Sequence, residues 1–142
     1  MKKLVFISTM FLCVASIHAQ TTKDQSSVIR ATPAYAEVLL RKTELLAEAE
    51  SLADSYTDLA PKMIDLRYEV AALDRSLTKM RAVRSEDAMR LTEALGKLMV
   101  RRAALDTELN RLNRSYNADH VEVKRAKKRL EVFDAAIKEI IP

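Results

Sequence analysis

Cysteine is almost missing from this 142-residue chain: Cys13 is the only one, and it sits in an apolar stretch near the N-terminus. The remainder offers no disulfide, thiol nucleophile or cysteine-based metal site. Glycine is equally scarce, with Gly96 alone, so no glycine-rich loop can wrap a phosphate. Of the two histidines, only His120 lies beyond the N-terminal stretch. Zinc sites draw three or four ligands from His, Cys and carboxylates, and a hydroxyl–histidine–carboxylate set would depend on that one imidazole. Tryptophan is absent and aromatic residues make up 5% of the chain, which argues against a compact multilayer core. These gaps lead to the expectation of a protein that is not an enzyme, holds no cofactor and takes no small-molecule substrate.

What is abundant is Ala, Leu, Glu, Lys and Arg, the composition of long helices with few tight turns. The chain opens Met1-Lys2-Lys3, runs through largely apolar residues to Ile17, and reaches small Ala19 just before polar Gln20-Thr21-Thr22-Lys23. That order matches a secretory signal peptide over 1–19, cut after Ala19. The apolar run, residues 4–17, is shorter than the ~17–25 residues that span a bilayer, although an uncut anchor is the alternative. Losing Lys2 and Lys3 with the signal lowers the formal charge from +4 to +2. Residues 20–31 are polar and aperiodic and read as a flexible leader; residues 32–142 read as the folded part. The expected location is periplasmic or secreted, in a bacterium of the Gram-negative type.

Within the folded part, Val38, Leu45, Leu52, Leu59, Leu66, Leu73 and Met80 recur every seventh residue. Tyr35, Ala49, Tyr56, Met63, Val70 and Leu77 form an interleaved row, which makes a coiled-coil seam. Thr32 suits a helix cap and Pro33 the first helical position. Pro61 falls on the outward heptad position and the seam keeps phase across it, which predicts a kinked but continuous helix over 33–81. Around Arg84 the phase changes. Ser85 followed by Glu86 and Asp87 then suits the start of a second helix, over 85–141 and stopped by Pro142.

The predicted fold is all-α: a long antiparallel two-helix coiled-coil hairpin, with one continuous rod as the alternative. A register centred on Arg84 pairs Leu77 with Leu91, Leu73 with Leu95, and Val38 with Leu130. Residues 34–80 carry net charge −3 and residues 81–142 carry +4, so the arms attract. Glu69 with Arg101, and Lys62 with Glu108, are the expected flanking pairs. Lys42 (facing Ala126), Arg102 (facing Leu66) and Asp119 (facing Ala49) interrupt the seam and would specify its register.

Two features point outward. The apolar stripe widens at Leu39, Leu46 and Ala53 on the first helix and at Val132, Ala136 and Ile141 on the second. Two helices cannot cover it all, so these residues form the candidate partner interface. Lys124, Arg125, Lys127, Lys128 and Arg129 form a candidate anion-binding patch. With no interleaved aromatic it suits a solvated face, an acidic partner or an anionic membrane surface, and not nucleic acid.

Leu112, Tyr116, His120 and Val123 fall within a segment that resembles a motif of polysaccharide chain-length determinant proteins. There a coiled-coil hairpin is followed by Leu, by Tyr four residues on, then by His-Pro and Val. Val121 stands where that family has proline, so an unbroken helix is expected here. The resemblance implies a similar coiled-coil building block. The function expected is protein–protein interaction by an exported coiled-coil protein, through self-association or contact with another envelope protein. A holdase-like periplasmic chaperone and an accessory to envelope polysaccharide assembly or export are the alternatives.

Overall fold

The computed structural model describes residues 26–141. The expected signal peptide, the first part of the leader and Pro142 lie outside the described residues. The chain within them is all-α, as expected, with no β-strand. A helical turn over residues 26–30 precedes α1 (Pro33–Leu52) and α2 (Pro61–Arg81). A 3₁₀ segment (Ser85–Arg90) leads to α3 (Glu93–Ser115) and α4 (Val121–Ile140). The two long arms expected over 33–81 and 85–141 are therefore each divided, and the two-helix hairpin becomes four helices.

The first division follows from Pro61. A residue before proline is driven out of the helical region, and Ala60 sits in the extended region at φ −61°, ψ 136°. Ahead of it, Asp54, Ser55, Thr57 and Asp58 carry side chains that compete for backbone groups. Pro61 thus starts a new helix where a kink was expected, and the chain reverses. The second division needs no proline. Asn117 accepts a hydrogen bond from the Asp119 amide at 3.2 Å, and His120 caps α4 by accepting from the Glu122 amide at 3.3 Å through Nδ1. The imidazole also stacks on Tyr116, with ring centroids 4.1 Å apart.

The two corners are the same corner built twice. Tyr56 donates its amide to the Leu52 carbonyl at 2.9 Å, and Tyr116 donates to Leu112 at 2.8 Å. Ala60 donates to Thr57 as His120 does to Asn117, and Ile64 to Ala60 as Lys124 does to His120. Each equivalent pair is sixty positions apart. The correspondence extends through Thr32/Thr92, Arg41/Arg101, Leu45/Leu105, Glu48/Glu108, Leu52/Leu112, Ser55/Ser115, Tyr56/Tyr116 and Asp74/Asp134. Thr32 and Thr92 both cap their helices, accepting from the Tyr35 and Leu95 amides. The chain is a tandem of two helical hairpins, α1–α2 and α3–α4.

Antiparallel pairing within each hairpin and across the 82–92 link makes α1 and α3 parallel and puts both corners at one end. Helix α3 touches the other three helices. Leu73, Leu77 and Met80 from α2, Leu95 and Met99 from α3, Val38 and Leu45 from α1, and Leu91 from the link are all fully buried. Each is worth about 1.5–3 kcal/mol of apolar burial. Gly96 marks the tightest approach of the hairpins: a Cβ there would lie 2.8 Å from Cβ of Glu37 and 2.9 Å from Cα of Ala34.

Other expectations are corrected by this arrangement. The leader expected to be flexible over 20–31 is helical over its residues 26–30. Ile29 is buried in the core, and the Thr32 hydroxyl donates to its carbonyl at 2.7 Å. The start of α3 is capped by Thr92, and Ser85 opens the 3₁₀ segment instead. Because α1 folds back on α2, it takes the partners assigned to the second arm. Glu69 pairs with Arg41 and Lys62 with Glu48, while Glu108 pairs with Arg129. Val38 is fully buried on α1, which packs mainly on α2 and α3 rather than on the helix that carries Leu130. Lys42 pairs with Asp74 at 2.6 Å, Arg102 with Asp134 at 2.9 Å, and exposed Asp119 with Lys124 at 3.1 Å. The first two are one ion pair occurring once in each hairpin.

Candidate protein-interaction faces

Helix α1 turns its seam residues inward and leaves one whole stripe uncovered. Ala36, Leu39, Leu40, Thr43, Leu46 and Ala47 recur at three- and four-residue spacing, so they share one face, and all are exposed. Leu40 is the barest of the three leucines on this face, 58% exposed. No charged residue interrupts these positions. An apolar helix face of three turns open to water is the mark of a contact surface.

Helix α4 presents the other uncovered surface. Val132 is 65% exposed and lies in a shallow groove with Glu122, Arg125, Lys128 and Arg129. Half-buried Ala136 lies one turn further along. Of the basic patch, Lys124 pairs with Asp119, Arg125 with Glu122 at 2.8 Å and Arg129 with Glu108 at 2.7 Å. Lys127 and Lys128 have no ion pair among the described residues. The patch is a charged frame around an apolar centre.

The candidate partner residues thus divide into separate groups. Leu39 and Leu46 share the α1 face. Ala53 is exposed just beyond it, where the first corner begins. Val132 and Ala136 belong to α4, with α3 between the two surfaces. Ile141 is a correction: beyond the end of α4 its backbone becomes extended, at φ −129°, ψ 96°, and its side chain enters the core. It is 3% exposed and has no surface to offer. Leu40, Ala36, Thr43 and Ala47 were not foreseen. Their signal was the uncharged run at helical spacing outside the seam, which a search for seam positions alone passes over.

Electrostatics inside the bundle serve its geometry. Arg102 bridges Asp134 on α4 and Asp106 on its own helix. The hydrogen bond it donates to Asp134 raises its pKa despite partial burial. Between the hairpins, Arg114 reaches Asp65, and Asp106 receives both Tyr68 and Arg75 from α2. Among the described residues no group of three or more His, Cys, Asp or Glu is placed to hold a metal ion. None of their helices is long and apolar enough to cross a membrane. Comparison with protein-family models, curated proteins and solved structures finds no match to this chain.

Proposed function

We propose that this protein is exported and acts without chemistry of its own, by protein–protein contact in the bacterial cell envelope. The observation that carries the reading is the α1 stripe through Leu39, Leu40 and Leu46, an apolar face with no partner among the described residues. Three exposed leucines on one helix cost solubility, and docking a protein on them returns about 25 cal/mol for each Å² of apolar surface removed from water. The N-terminal order of two lysines, apolar run and Ala19 supports export, with cleavage after Ala19. The frame of lysines and arginines on α4 supports an acidic partner surface, with an anionic membrane as a weaker contact.

The test is a photo-crosslinking residue at position 40 in cells that export the chain, with fractionation and N-terminal sequencing of the product. Adducts with protein at position 40, and none at exposed position 131 on α4, are expected, from a periplasmic species beginning at Gln20. A cytoplasmic, uncut product, or equal crosslinking at both positions, rules the reading out.

A role in polysaccharide assembly loses ground on the fold. The segment through Leu112, Tyr116 and His120 forms a corner that recurs at Leu52, Tyr56 and Pro61. The first copy has the proline without the histidine, and the second has the histidine without the proline. A motif that serves twice as a helical corner supports a structural part in both places.

A further inference from the structure

The sixty-residue correspondence makes the two uncovered faces comparable with surfaces that are already covered. Gly96, Met99, Val100, Ala103, Asp106 and Thr107 form the α3 face that packs on the first hairpin, and each is buried or half-buried. Their equivalents sixty positions earlier are Ala36, Leu39, Leu40, Thr43, Leu46 and Ala47, the uncovered α1 face. The surface that receives α3 includes Ala34 of α1, and Asp65, Tyr68, Glu69 and Ala72 of α2. Their equivalents are Ala94, Arg125, Lys128, Arg129 and Val132, all exposed on the outer surface of α3 and α4. Buried Ala72, 1% exposed, thus corresponds to Val132. The chain carries the first half of its own hairpin–hairpin contact free on one side and the second half free on the other.

We infer that copies of this chain join head to tail, the α1 face of one docking on the outer α3–α4 surface of the next. The contact repeats between molecules the one that joins the two hairpins within a molecule, and the inference rests on the protein-contact reading above. Stacked helical repeats bury their faces only against neighbours, and a terminal repeat that ends the stack has a polar outer face. The α1 face is apolar, so the first hairpin does not end a stack. The two faces differ, so the contact is heterologous and adds copies in one direction.

Charge supports the match. Within the chain, Arg114 of α3 meets Asp65 of α2. In the repeated contact the corresponding residues are Asp54, in the first corner, and Arg125 of α4. The pair keeps opposite signs with the two roles exchanged, which a surface meant for solvent has no reason to do. Helix α1 is acidic, with Glu37, Glu44, Glu48 and Glu50 against Arg41 and Lys42, while α4 carries the basic cluster. Ala36 stands where the internal contact has Gly96, which spaces copies slightly wider than hairpins.

Sedimentation velocity on the purified chain over a range of concentrations tests the inference. The wild type is expected to gain mass steadily with concentration. Leu40→Lys removes one face and Val132→Lys the other; both side chains are exposed, so helix content should be unchanged. Each variant alone is expected to be monomeric, its association weakened about tenfold or more by a lysine set against apolar surface. Mixed one to one, they should form a heterodimer that goes no further, because each supplies the face the other lacks. Asp54→Arg should weaken assembly, and adding Arg125→Asp in the same chain should restore it. A wild type that stays monomeric, or a Leu40→Lys/Val132→Lys mixture that does, overturns the inference, and so does a two-fold dimer persisting in either variant alone. If position 40 crosslinks to a different protein in cells while the purified chain is monomeric, protein contact stands and self-assembly falls. If it crosslinks to nothing, both fall.

Discussion

The two hairpins share their caps, their corners and one buried-edge ion pair, yet they contribute unequally to the core. The first supplies fully buried Leu73 from α2; the equivalent on α4 is half-buried Phe133. The first closes over α3 with its second helix, while the same surface of the second hairpin faces water. Repetition of local structure therefore does not repeat energetics. Whether a face is core or surface depends on whether a neighbour is present, and among the described residues each hairpin has the other as its neighbour on one side only.

The sharpest way to break the comparison is to truncate the equivalent core residues. Leu73→Ala should cost about 2–5 kcal/mol, the range for a buried leucine whose cavity collapses only partly. Phe133→Ala removes a larger side chain but should cost less than Leu73→Ala, because Phe133 is only partly buried. Urea denaturation at low concentration, where self-association adds nothing to apparent stability, measures both. Equal losses would mean that the α4 surface is as closed in solution as the α2 surface, and the unequal partition would be wrong.

Gly96 and Ala36 give the next contrast. Gly96→Ala should destabilise by about 1–3 kcal/mol, the usual cost of overpacking, against a gain of about 1 kcal/mol in helix propensity. The added methyl meets Cβ of Glu37 and the Ala34 backbone, neither of which swings away. Ala36→Gly, in open solvent, should lose only the propensity difference, about 1 kcal/mol. Amide exchange separates the mechanisms: Gly96→Ala should loosen the first turns of both α1 and α3, and Ala36→Gly those of α1 alone. A stabilising Gly96→Ala would show that the hairpins are not pressed together there.

Helix content, the Thr32 cap and the inward faces of α1 and α2 were legible in the sequence because they depend on neighbours three or four residues away, whereas the cap expected at Ser85 stands at Thr92. The division at Pro61 was not, for a geometric reason. The corner returns the chain to the same heptad phase, so Leu59, Met63 and Leu66 count as one seam whether the helix bends or reverses. Counting weighs Leu59 like any other leucine, yet it is 83% exposed. The repeat was visible in Leu52-x-x-Ser55-Tyr56 and Leu112-x-x-Ser115-Tyr116, but only to a comparison of the chain with itself at long spacing. Leu39 and Leu46 could be singled out as surplus to a seam. That Ile141 turns inward and Leu40 outward depends on the fourth helix and on the chain's reversal, neither of which a seven-residue period contains.

The caps offer a finer contrast. Thr32→Ala and Thr92→Ala each remove a hydroxyl that accepts from a first-turn amide, at about 1 kcal/mol. Thr32 should cost more, because it is buried and also donates to Ile29, so its loss leaves that carbonyl with only the backbone amide of residue 32 as donor. Thermal unfolding of the two variants ranks them. A larger loss at Thr92 would mean that the turn carrying Ile29 contributes little.

The smallest expected effect comes from a place where the hairpins differ in chemistry. Helix α3 begins with Glu93, which pairs with Lys97, whereas α1 begins with Pro33 and has no such pair at the equivalent positions. The hydrogen bond from Lys97, then its charge, lowers the Glu93 pKa below the ordinary carboxylate range. A carboxylate depressed in the folded state adds stability that is present above its unfolded pKa and is lost as pH falls through its folded pKa. The first turn of α3 should therefore loosen in acid within that window, and Glu93→Gln should abolish the dependence there while leaving α1 unaffected. NMR titration of the Glu93 carboxyl, with amide exchange of Ala94 to Leu98 followed over the same pH range, tests it. A Glu93 titration at the ordinary value would show that the pair does not persist in water, and the two helix starts would then differ only in proline.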